Sequence, residues 1–88
     1  MKNIVFSREV SRKIIKIRKI DTKLYIKIKK QLSLFQQDPH HKSLRTHKLI
    51  GKIKNVWSIS IDKSIRMLYV ETDVFYFIDI GTHDVVYK

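Results

Sequence analysis

Between Ser7 and Lys19 apolar residues return every three or four positions. Val10, Ile14 and Ile17 share one face, and Arg8, Arg12, Lys13, Lys16 and Lys19 fill the remaining arc. This spacing matches the α-helical turn and predicts an amphipathic helix over residues 8–19. Ser7 stands where an N-cap hydroxyl is wanted. A second stripe, Leu24, Ile28, Leu32 and Phe35, predicts another helix that opens at Asp21 and stops before Asp38-Pro39, where proline ends helical hydrogen bonding. Only one or two residues separate the two stretches, so they should fold back as an antiparallel hairpin. Ahead of them, residues 2–6 read as a short strand.

After the loop holding His40 and His41 the period moves toward two. Trp57, Ile59 and Ile61 alternate with Ser58, Ser60 and Asp62, which predicts a strand with one buried and one polar face. Residues 65–71 and 74–80 are apolar on both faces and should be central strands, joined through Glu71-Thr72-Asp73. Residues 85–87 form a candidate last strand. Together the pattern predicts an α+β domain in which a short strand and a two-helix hairpin pack on a twisted antiparallel sheet of about four strands.

Length and composition narrow the class. With 88 residues, 43% apolar, and only Gly51, Gly81 and Pro39 as backbone breakers, the sequence suits one folded domain over residues 1–88 and not a disordered chain. The absence of cysteine excludes a disulfide framework and thiolate metal sites. No leading segment has signal-peptide character and no apolar run nears the ~20 residues that span a bilayer, so a cytoplasmic protein without membrane contact is expected. The strongest signal is charge. The net value is +11, and residues 1–54 carry 16 Lys and Arg against three acids, whereas residues 55–88 carry three against five. Such a field attracts polyanions, nucleic acid foremost.

The candidate chemistry lies in the strand-rich half. Cleaving RNA through its own 2′-hydroxyl requires a base, a cation for the crowded phosphate, and an acid for the leaving 5′-oxygen. Histidine serves either proton role because its ordinary pKa is ~6.5, and arginine's planar fork can hold two phosphate oxygens. His47, Arg66 and His83 offer this set, and the chemistry calls for no metal or other cofactor. Each has a plainer alternative. A strand-edge histidine can be a surface hydrogen-bonding group, as His40 and His41 are read, and Arg66 can pair with Asp79 or Glu71. Trp57 is either core or a platform for a base. The four histidines do not form a metal-ligand pattern.

Read as motifs, His47-Lys48-Leu49-Ile50-Gly51, Trp57-Ser58, Arg66-Met67-Leu68-Tyr69 and Gly81-Thr82-His83 make nearly the whole chain resemble toxins of the RelE/ParE superfamily, in its RelE, YoeB and YafQ branch. The resemblance implies an mRNA interferase that cuts mRNA on the ribosome and is neutralised by a cognate antitoxin, with a toxin–antitoxin hetero-oligomer or a homodimer as the assembly. It implies His47 as general base, Arg66 as phosphate ligand, His83 as general acid, and Tyr87 as the terminal tyrosine of several members. Lys13, Lys16, Lys27, Lys30, Lys52, Lys54 and Trp57 become the expected RNA contacts, with ribosomal RNA included. Ser58 and Ser60 stand where RelE carries two lysines, and Ser64-Ile65 lacks the aspartate-tryptophan pair of YafQ. The sequence therefore leaves two alternatives: a ParE-like inhibitor of DNA gyrase, and a degenerate toxin that binds only its antitoxin.

Overall fold

The computed structural model describes residues 2–51 and 55–82. Its elements follow the order β1 (Ile4–Phe6), α1 (Arg8–Ile20), α2 (Thr22–Gln37), a 3₁₀ turn (Lys42–Leu44), β2 (His47–Lys48), β3 (Val56–Ser60), β4 (Ile65–Glu71) and β5 (Phe75–Thr82). Both predicted caps form. The Ser7 hydroxyl accepts from the Val10 amide at 3.1 Å, and the Asp21 carboxylate accepts from the Leu24 amide at 3.1 Å. Asp21 also closes α1 through its own N–H to the Ile17 carbonyl, so one residue ends a helix and starts the next.

Among the described residues the sheet has five strands in the order β1-β5-β4-β3-β2, one more than expected. Its pairing also corrects the all-antiparallel expectation: β1 runs parallel to β5, while the other pairs are antiparallel. Hairpin turns force antiparallel neighbours, but β1 is separated from β5 by most of the chain, and a long crossover leaves its direction free. The extra strand, β2, has two residues, too few to print a period of two.

Helices cover one face of the sheet. Val10 of α1, Ile28 and Phe35 of α2, and Leu44 of the 3₁₀ turn pack with Ile59, Met67, Tyr69, Phe75, Phe77 and Ile80. Phe35 is the centre, its ring meeting Phe75, Tyr69 and Phe77 edge-on at 4.7, 5.0 and 5.5 Å between centroids. Burial, and secondarily the nearby Glu71 charge, push the Tyr69 hydroxyl up to about 12, so it stays neutral in this packing. Where β4 meets β5, Leu68 faces Asp79 and Tyr69 faces Phe77, leaving Ile78 unmatched as a bulge. The extra residue shifts the alternation, so that after Phe75 and Phe77 the next core side chain is Ile80 and the charged Asp79 is spared burial.

A second, smaller apolar cluster lies on the other face, where Val56 and Leu68 are buried with Leu49, Val70 and Ile78 against them. Since strand side chains alternate, Arg66, Leu68 and Val70 share this face. It also corrects the reading of β3. Ser58 and Ser60 are not a solvated stripe but are buried, at 0% and 9% exposure. The strand is an interior one, flanked by β2 and β4, and its serines lie beneath neighbours on the face away from the helices. No helix among the described residues is long and apolar enough to cross a membrane.

Candidate functional site

Three adjacent strands bring His47, Ser58 and Arg66 together. In the registers His47 stands opposite Ser58, and Ser60 opposite Arg66, which makes Ser58 and Arg66 diagonal neighbours across β3 and β4. Arg66 Nε donates to Ser58 Oγ at 2.6 Å, and its Nη2 donates to the Arg45 carbonyl at 3.1 Å. The same Nη2 lies 3.4 Å from His47 Nδ1, which is itself 3.2 Å from the Arg45 carbonyl. Among the described residues Nη1 has no hydrogen-bond partner, so the guanidinium is anchored by one edge and by its inner nitrogen.

The acceptor carbonyl is aimed by an uncommon backbone. Arg45 ends the 3₁₀ turn in the left-handed region, at φ 46° and ψ 47°, with its N–H on the Lys42 carbonyl. Upstream, the turn is capped by His41, whose Nδ1 accepts from the Ser43 amide at 3.1 Å, and it is fastened by Leu44, which is fully buried. A non-glycine residue takes positive φ only when its surroundings impose it. Here the buried Leu44 on one side and strand β2 on the other hold it.

The plainer account of Arg66 is ruled out by geometry. Glu71 is taken by Lys2 at 2.7 Å, and Asp79 by Lys13 at 3.0 Å. Among the described residues Arg66 is thus a half-buried cation whose anchors are a neutral hydroxyl and a neutral carbonyl. Its charge is left for an anion.

Several expected contacts are placed differently. Trp57 packs against the core on the helix side, with Ile59, away from Arg66 and His47. Its ring follows the alternation of β3, which sends residues 57, 59 and 61 inward. Lys13 reaches Asp79 and also the Ile80 carbonyl at 3.4 Å, and lies 3.5 Å from Glu9. The hydrogen bond to Asp79 dominates and raises the Lys13 ammonium above its ordinary value. Lys27 meets Asp62 at 3.6 Å. Lys16 and Lys30 are exposed. His83, Tyr87, Lys52 and Lys54 lie outside the described residues, as does the expected strand at 85–87. Among the described residues no group of three or more His, Asp or Glu is arranged to hold a metal ion.

Two members of the cluster were not foreseen. Ser58 entered the sequence analysis as a polar strand position and a missing lysine, without a role in the site, and Arg45 not at all. A serine flanked by strong apolar residues on the strand just before an unusual arginine is a recoverable signal. A left-handed backbone at an arginine is not.

No protein-family model matches the chain, and no curated protein matches it either. Solved structures do. A point mutant of YafQ from E. coli superposes with a TM-score of 0.80 at 20% identity, over 100% of both chains. A YoeB/ParE toxin from Agrobacterium tumefaciens gives 0.78 at 19% identity, over 94% of this chain and 99% of that one. The heterotetrameric YoeB-YefM toxin-antitoxin complex from Staphylococcus aureus gives 0.77 at 19% identity, over 94% and 98%. The fold is that of these toxins. The resemblance expected from the motifs therefore holds for the architecture across nearly the whole chain, and the strand carrying Arg66 is an integral part of that shared sheet.

Proposed function

We propose that the protein is the toxin of a toxin–antitoxin pair and acts as a metal-independent endoribonuclease on mRNA held in the ribosome. One observation carries the reading: Arg66 is fixed by Ser58 and the Arg45 carbonyl, with no carboxylate partner among the described residues, beside His47 on the face of the sheet away from the helices. A guanidinium held in this way is prepared to receive a phosphate.

In the proposed reaction His47 takes the proton of a ribose 2′-hydroxyl. The freed oxygen bonds to phosphorus as the bond from phosphorus to the 5′-oxygen breaks, and that oxygen takes a proton from the acid, giving a 2′,3′-cyclic phosphate and a 5′-hydroxyl. Arg66 neutralises the added charge on the phosphate. His83 is the proposed acid. β5 brings the chain beside Arg66 at Gly81, which faces it in the register, two residues before His83 in the sequence. Tyr87 is proposed to act with them, and Lys16, Lys30, Lys52 and Lys54 to meet ribosomal RNA. A cognate antitoxin, whose relatives occur in complexes with toxins of this fold, is the proposed partner in the cytoplasm.

The test is induction in growing cells followed by primer extension across abundant messages. The parent should arrest translation and leave discrete cuts inside reading frames, and folded Arg66→Ala should do neither. An Arg66→Ala variant as toxic as the parent, or a DNA damage response over intact mRNA, would remove the nuclease reading.

A further inference from the structure

The two helices repeat one another. Ser11 to Lys19 reads Ser-Arg-Lys-Ile-Ile-Lys-Ile-Arg-Lys, and Thr22 to Lys30 reads Thr-Lys-Leu-Tyr-Ile-Lys-Ile-Lys-Lys, matching in character everywhere but at Lys13 and Leu24. In each copy one isoleucine, Ile17 or Ile28, packs toward the sheet. Another, Ile15 or Ile26, stands two residues earlier, about 200° around the helix, and faces outward at 55% and 58% exposure. Each outer isoleucine has cations at i−3, i+3 and i+4, the positions that share its helical face. They are Arg12, Arg18 and Lys19 for Ile15, and Lys23, Lys29 and Lys30 for Ile26. All six are exposed, and none forms an ion pair among the described residues. The equivalent residues Arg18 and Lys29 approach one ring, that of Tyr25, at 5.9 and 5.7 Å, so the two copies meet across the seam between the helices. The result is a small apolar spot inside a ring of positive charge.

The two helices together carry ten Lys and Arg against one acid, Glu9, which argues against a second copy of this chain as the occupant, because like charges would face one another. A phosphate backbone would meet the cations but set charge against the isoleucines. A lipid surface calls for a sustained apolar face, and both helices commit theirs to the core. We infer that the outer seam of the helical hairpin is a docking surface for an acidic amphipathic helix of a partner protein, whose apolar side chains cover Ile15 and Ile26 while its carboxylates meet the six cations. A third helix fits the groove between two packed ones, and apolar anchors spaced by a helical turn are the usual means of holding it there. The binding does not rest on the nuclease reading, but its consequence does. Arg66 and His47 lie on the face of the sheet away from the helices, so such a partner leaves them uncovered. On that reading it competes with ribosomal RNA for Lys30, and keeps the protein off the ribosome without touching the groups that cut.

The probe is a synthetic helical peptide about five turns long, with leucine along one stripe and glutamate on both sides of it, and a scrambled peptide of equal charge as control. Titrated into the ¹⁵N-labelled full chain, it should shift the amides of residues 11–30, leave those of β3 and β4 in place, and bind more tightly than the control. Ile15→Ala/Ile26→Ala removes apolar surface at exposed positions where alanine suits a helix. It should weaken binding on the order of 10-fold with the far-ultraviolet spectrum of the parent. Lys19→Gln/Lys30→Gln should also weaken it and reduce its dependence on salt. Shifts centred on β3 and β4, an affinity that the isoleucine variant leaves unchanged, or no binding at millimolar peptide would overturn the inference. So would binding of an RNA hairpin or of phosphatidylserine vesicles that is lost in the isoleucine variant, since either names a different occupant. If the peptide binds the seam but Arg66→Ala leaves toxicity intact, the nuclease reading fails by itself.

Discussion

Replacing Arg66 with lysine keeps the charge and removes the fork, which makes it the sharpest probe of the site. Arg66 donates in two directions at once, from Nε to Ser58 at 2.6 Å and from Nη2 to Arg45 at 3.1 Å, while Nη1 is left for substrate. A lysine has one nitrogen in place of three and cannot span both anchors. A hydrogen bond involving a charged group contributes about 1.5–3 kcal/mol. Because Arg66 is half-buried and water can replace part of what is lost, folding stability should fall by about 1 kcal/mol. For a domain near this size that lowers the melting temperature by roughly 4–8 °C. The catalytic loss should be larger. Removing one fixed donor from a developing oxyanion costs about 10²–10³ in rate, so Arg66→Lys should cleave ribosome-bound mRNA about 10²-fold more slowly than the parent and Arg66→Ala at least 10³-fold. Single-turnover cleavage and a thermal melt on the same preparations supply both numbers. An Arg66→Lys protein within about threefold of the parent rate, melting at the parent temperature, would show that the two-anchor geometry is irrelevant and that any cation suffices.

The core and the pH response give two more predictions. Phe35→Ala should cost about 3–5 kcal/mol in denaturant titrations, a large share of the total for so small a domain, and Phe35→Leu clearly less; a loss under 1 kcal/mol for the alanine would contradict the central position of that ring. For pH, burial alone would raise the Asp62 carboxyl, but the amides of Ile65 and Ser64, each at 2.8 Å, and Lys27 outweigh it and hold it below 3.8. Its contribution is therefore complete above the ordinary carboxylate value and lost as pH falls through the lowered one. The raised Lys13 ammonium works the other way, contributing fully below 10.5 and failing as pH rises through its folded value. Each is mostly solvent-screened and worth under about 1 kcal/mol. Denaturant midpoints should be flat between these limits, and Asp62→Asn should blunt the acid decline and leave the alkaline one.

What the sequence revealed and what it hid divide along physical lines. Helices declare themselves locally: the stripes of Val10, Ile14 and Ile17 and of Leu24, Ile28, Leu32 and Phe35, with Ser7 and Asp21 as caps, placed both helices to within a residue or so. Strand existence was also local, for β4 above all. Pairing was not, because the parallel alignment of β1 with β5 joins residues some 70 positions apart, and no pattern within either strand encodes it. The same limit applies to the site. His47 and Arg66 were visible as chemistry-bearing types, but the contact between them depends on β3 lying between their strands and on one left-handed residue, Arg45. Ser58 was misjudged because alternation predicts which side of a strand a residue takes and not what covers that side.

The uneven charge along the chain acquires a structural meaning from the ion pairs. Lys2, Lys13 and Lys27 come from the basic part of the sequence, and their partners Glu71, Asp79 and Asp62 come from the part with an excess of acids. The pairs thus link the N-terminal segment and the helices to the strands and turn of the sheet. At these exposures they contribute little stability; what they do is discharge the acids of the sheet locally. An acid left unpaired near Arg66 would compete with phosphate for the guanidinium, and Asp79, opposite Leu68 on the neighbouring strand, is one that strand pairing brings near. On the proposed reading Lys13 supports the reaction indirectly, by occupying that carboxylate, while exposed Lys16 and Lys30, which form no ion pair among the described residues, are among the cations left to attract a polyanion. Since attraction between exposed charges is screened beyond about 8 Å at physiological ionic strength, in the proposed reaction lysines on the helices would act on the approach of a large RNA, and Arg66 on the reacting phosphate.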